Sequence, residues 1–169
     1  MKEFYENNKN LILPAIIFLA VFLLFSRILL SDFVYDDKTL VVSNRNIIGN
    51  VVNPVYYFTH GDALRPYDPQ NLDIYRPLSV WFLALEHWIF GMDSFYFHLV
   101  NLILHSANAV LFYFLLKKFL PGNLMPFFGA LLFGVHPITT ETAAWINQQT
   151  ALWSWFFSFI VLIIALSKE

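Results

Sequence analysis

Between Leu11 and Leu30 the chain reads LILPAIIFLAVFLLFSRILL, an apolar run of about the 20 residues that a helix needs to cross a hydrocarbon core roughly 30 Å thick. Lipid offers no water to backbone N–H and C=O groups, so a crossing segment must pair them internally as helix. Arg27, its only charge, lies near one end, where a long stem lets the guanidinium reach the interface. A secretory signal peptide is the rival reading, given Lys2 and Lys9 ahead of the oily stretch. The length of the run, the lack of an A-x-A-like site after it and the apolar segments downstream favour an uncleaved first helix.

The remaining chain has the same character. Of its 169 residues 58% are hydrophobic and only 13% charged, too apolar for an ordinary soluble domain. There is no cysteine, which excludes disulfides, iron–sulfur clusters and zinc–cysteine sites; a metal would need His and carboxylate ligands, no residue is assigned to one, and divalent-metal dependence has no signature here. A net charge of -2 without a basic stripe excludes nucleic acid as a partner.

Three more apolar spans follow, at about 95–116, 124–135 and 143–166, the third of the four being short and interrupted by Pro126. The fold expected is an all-α polytopic membrane protein, a single membrane domain of four transmembrane helices with an outer loop over 31–93. Within that loop LSVWFLALEHWIF, residues 78–90, is too short to span and carries Trp81 and Trp88 seven apart on one face, as in a helix lying in the interface. PVYYF, residues 54–58, is a second, weaker surface contact. Alternating spans put Lys2, Lys9, Lys117, Lys118 and Lys168 on one side, which the positive-inside rule makes cytoplasmic. The acidic loop and HPITTETA then share the outer face. The chain ends almost directly after a span, and the expectation is an N-terminal fragment of a larger fold.

Several constellations on that face carry chemistry. Asp36 and Asp37 are adjacent, so their side chains diverge; one serves as general base or metal ligand while the other orients or caps, or both merely shape a turn. Arg76, directly before Pro77, presents a forked donor set to phosphate or carboxylate, or meets lipid phosphate in general. His136 and Glu141 in VHPITTETAAW position a donor phosphate or a metal, or simply end and cap helices. His98, Asn101, His105 and Asn108 form one stripe, read as interhelical hydrogen bonding or as a polar path. The consecutive amides Asn147, Gln148 and Gln149 cannot all face lipid, and at least one should line a polar cavity.

Taken in order, FVYDD, YRPLS, HLVNLILHSANAVLFYFLLKKF and GALLFGVHPITTETAAWINQQTALW resemble the N-terminal membrane region of the transmembrane and tetratricopeptide-repeat O-mannosyltransferases and their prokaryotic relatives, within the C-type glycosyltransferase superfamily. The resemblance runs from Phe33 to about Leu166. It implies a partial C-type fold and transfer of a sugar, mannose first, from a polyprenyl-phosphate donor to a protein or glycan acceptor hydroxyl at the outer membrane face. It implies further that Asp36, with Asp37 beside it, is the catalytic acidic pair. Arg76 would sit near the donor phosphate, and His136 with Glu141 would belong to the second loop's motif. Where members of the family carry Gly-Arg after the Trp of that motif, this chain has Gln148-Gln149, which weakens the donor site.

Two other functions fit the same residues. A non-catalytic membrane scaffold or assembly protein would keep the fold without the chemistry, held by further membrane helices or a partner chain; a small transporter would use the His98–Asn108 stripe. The Asn- and Lys-rich start and the absence of any N-x-Ser/Thr sequon point to a prokaryotic cell membrane.

Overall fold

A computed structural model describes residues 2–44, 47, 53–59 and 75–167, and in these residues the chain is helical with no strand. Helix α1 covers Lys2–Phe25 and continues as a 3-10 turn over Ser26–Leu30. Then come α2 (Pro54–Thr59), α3 (Pro77–Phe90), α4 (Ser94–Leu116), α5 (Leu124–Val135), α6 (Thr140–Ala144) and α7 (Gln149–Ala165). Stretches of the expected outer loop, 45–46, 48–52 and 60–74, lie outside the described residues, as does Lys168.

Three segments are long and apolar enough to cross a membrane: Leu11–Leu30, Ser94–Leu116 and Ile146–Ala165. The expected third span is α5, and it has 12 residues, about 18 Å of helix, well short of the bilayer core. Pro126 does not interrupt it. The helix starts at Leu124, so the proline lies in its first turn, where a missing N–H costs no intrahelical bond.

The bundle is organised around α4, against which α1, α5 and α7 all pack. Helix α1 meets it with Leu13, Ile17, Val21 and Phe25, four buried residues spaced four apart, so that one stripe faces protein while Leu19, Leu23 and Leu24 face outward. These residues form a core with Leu102, Ala109, Tyr113 and Ala130. A second core caps the bundle at one end, where Phe33, Val41 and Ile47 of the first loop and Tyr57 of α2 meet Leu83 and Ala84 of α3, Phe97 of α4 and Ile146. The segment Asp32–Asn44 is thereby pinned over the ends of α4 and α7. At the opposite end, Lys118 Nζ donates to Ser167 Oγ at 2.8 Å, joining the far ends of α4 and α7.

The polar stripe of α4 is spent on packing. Asn101 Nδ2 donates to the Trp145 carbonyl at 3.1 Å and Asn108 Nδ2 to the Leu152 carbonyl at 2.9 Å, while His105 Nε2 lies 2.9 Å from the Gly134 carbonyl. Each bond reaches a backbone oxygen of a neighbouring segment, so the row cross-links the bundle rather than lining an aqueous path. His98 lies between the carbonyls of Asp32 and Ala144 without closing good hydrogen-bond geometry to either.

Candidate functional site

The expected last span is not one continuous helix. After α6, Trp145 takes an extended backbone (φ -89°, ψ 120°), Ile146–Gln148 form a 3-10 turn, and α7 begins only at Gln149. A break of this kind frees backbone groups that must find partners elsewhere. Two of them do so across the bundle: the Trp145 carbonyl accepts from Asn101, and the Asn147 N–H donates to Asp37 Oδ1 at 3.0 Å.

Asp37 is therefore the tether between the two polar segments. Its Oδ2 also accepts from the Val34 N–H at 3.2 Å, closing the VYDD turn on itself, and its side chain is fully buried. The Trp145 indole N–H is directed at the same carboxylate without closing a hydrogen bond of its own. Burial pushes the carboxyl above its ordinary range; the Val34 and Asn147 N–H groups oppose that, and the negative charge of Asp36 adds to it.

The turn that carries the pair is strained. Tyr35 has φ 51°, the one left-handed non-glycine position among the described residues, at a cost of about 1–3 kcal/mol that surrounding contacts must offset. The consequence is a division of the two acids. Asp37 turns inward to hold the loops together, and Asp36 is presented at the exposed surface of the same turn.

The other expected site residues fall in two layers. Arg76 caps α3 from an exposed position, with Pro77 buried at the first helical position behind it. His136 and Glu141 are exposed on the connection between α5 and α7. His136 Nδ1 accepts from the Ile138 N–H at 3.1 Å. Beneath them, Gln148 is half-buried and Gln149 fully buried, with Gln149 Nε2 donating to Asn101 Oδ1 at 3.1 Å. Gln149 thus serves packing below the surface.

Two features of the site had no separate signal in the sequence. The Asn147 backbone N–H acts only because the helix breaks before it. Glu86, on the buried side of α3, lies against the Gln149 side chain, and burial pushes its carboxyl up to about 8 while Gln149 partly opposes the shift. One turn before Glu86 on the same face of α3, the Phe82 ring stacks on Trp153 of α7 at 4.0 Å between centroids. Among the described residues no group of three or more His, Asp or Glu side chains is placed to hold a metal ion.

Fold and site together define a helical membrane protein in which two loops far apart in sequence build one polar surface at one end of the bundle. Over 126 residues, 72% of its own length, the chain is 36% identical to protein O-mannosyl-transferase TMTC1 of Mus musculus, and over 142 residues, 83% of its length, it is 30% identical to protein O-mannosyl-transferase tmtc2 of Xenopus laevis. Protein O-mannosyl-transferase TMTC3 of Homo sapiens is 27% identical over 129 residues. Over that stretch the chain belongs to the TMTC protein O-mannosyl-transferase family. It spans only 13% of the first of these relatives and 17% of the second. No family model and no solved structure matches it.

Proposed function

We propose that this chain supplies the acceptor-activating part of a membrane glycosyltransferase, which moves mannose from a polyprenyl-phosphate donor to a hydroxyl of a protein or glycan acceptor. The observation that carries this reading is the division of labour in VYDD. A strained turn, locked by the inward Asp37, holds Asp36 rigidly at the surface where the two loops meet. A base needs that kind of fixed, accessible placement to take a proton from an acceptor hydroxyl. Arg76, exposed at the start of α3, supplies positive charge for a leaving lipid phosphate. The lysines at the opposite end, Lys117 and Lys118, support an outer face for the site and a cytoplasmic N-terminus through the positive-inside rule.

A scaffold that keeps the fold without the chemistry is favoured by one observation, the burial of Gln149 in a packing role. The two readings separate in a transfer assay. The chain reconstituted in lipid with radiolabelled polyprenyl-phosphate mannose and a hydroxyl acceptor should transfer label; a well-folded protein that transfers none supports the scaffold.

A further inference from the structure

One buried carboxyl remains unused by the chemistry above, and the hydrogen bonds around it form a directional chain. The Trp145 carbonyl can only accept, so Asn101 must turn its NH2 toward it. That leaves Asn101 Oδ1 facing Gln149, which must in turn present its own NH2. Gln149 Oε1 is then left as a buried acceptor without a donor, and Glu86 Oε2 is a second. As a carboxylate, Glu86 has no hydrogen to give either of them; as a carboxylic acid it has one. An acid–amide pair, with Gln149 Nε2 donating to one Glu86 oxygen and the Glu86 O–H donating to Gln149 Oε1, satisfies both.

We infer that Glu86 is held as the neutral acid and acts as a positioning residue, fixing through Gln149 and Asn101 the Trp145–Gln149 turn whose Asn147 N–H holds Asp37. The relay runs from the surface helix α3 through the start of α7 and the middle of α4 to the broken backbone at the site. Its link to sugar transfer rests on the function proposed above; the acid pair itself does not. Among the described residues, the surroundings contain little that would ionise Glu86. Helix α7 carries no ionisable residue, α2 carries Tyr56 and Tyr57, α4 carries Tyr96, His98, His105 and Tyr113, and the loop over α3 contributes the Asp37 already engaged by Val34 and Asn147. Among the described residues, Gln149 is the one side chain that perturbs the Glu86 carboxyl.

The test uses the wild type, Glu86→Gln and Glu86→Leu in lipid nanodiscs. Glutamine keeps both a donor and an acceptor at the same place and cannot ionise, so it should preserve the turn; leucine should not. The wild type should show the infrared band of a protonated carboxyl, lost in Glu86→Gln. Amide exchange at Asn147 should quicken in Glu86→Leu and remain slow in Glu86→Gln. The folded carboxyl, at about 8, binds its proton more tightly than the unfolded one at 4.5, so wild-type stability should fall as pH rises through that window, and Glu86→Gln should flatten the slope. Transfer should drop about ten- to hundred-fold in Glu86→Leu, as for a misplaced catalytic group, and be rescued by Glu86→Gln. Absence of the band, or a Glu86→Gln protein as impaired as Glu86→Leu, overturns the inference. A wild type that transfers no sugar while the band and the exchange pattern hold sinks the transferase reading and leaves the acid pair standing.

Discussion

At the scale of single residues, the two adjacent acids do different work because one N–H lies within reach of only one of them. Asp37 accepts from Val34 and from Asn147 and is sealed from solvent; Asp36, next to it, is not. Replacing Asp37 by alanine would leave those two N–H groups without partners, at about 1–3 kcal/mol for each one left buried. Asp37→Ala is expected to lower the melting temperature in lipid clearly, and an unchanged melting temperature would show that the tether contributes nothing. The sequence signals that adjacent carboxylates must diverge, because neighbouring side chains point apart on any regular backbone. Which one turns inward is invisible there, since the partner is a backbone N–H 110 positions away, exposed by a helix break that Trp145, Ile146 and Asn147 do not announce. Glu86 was hidden for a similar reason. Inside LSVWFLALEHWIF it reads as one polar residue of a surface helix, and only the fold places it against Gln149.

At the scale of elements, apolar run length was the strongest signal, and it located the segments of crossing length because bilayer thickness fixes how many residues such a helix requires. The same logic fails for α5, whose 12 residues are held by contacts rather than by length. Its fit depends on Gly134. A Cβ there would collide with Val21 of α1 and come within 3.0 Å of Ala109 Cβ on α4, and the Gly134 carbonyl is the oxygen that His105 reaches. Val21 is β-branched and cannot swing aside, so the three helices approach only because this position has no side chain. Gly134→Val is predicted to destabilise the protein by about 1–3 kcal/mol through overpacking, measured as a lowered thermal midpoint in detergent. Full stability would mean that the helices are not packed this closely. The α4 stripe was legible as polar residues on one face; that each would end on a carbonyl of a different neighbouring segment required the bundle itself.

At the scale of the whole molecule, the chain is a helical membrane unit whose polar chemistry is gathered at one end by a single buried acid. Four short blocks in order, FVYDD, YRPLS, the HLVN helix and the HPITTE loop, made the family readable in the sequence. The central claim is that this face works on an acceptor hydroxyl through Asp36. It is tested most directly by measuring mannose transfer from polyprenyl-phosphate mannose by Asp36→Asn beside the wild type, with melting temperatures taken on the same samples. The account predicts a loss of about 10²–10⁴-fold in turnover, the usual weight of a general base, at an unchanged melting temperature, since Asp36 is exposed and its side chain holds no hydrogen bond among the described residues. Wild-type turnover in Asp36→Asn would contradict it.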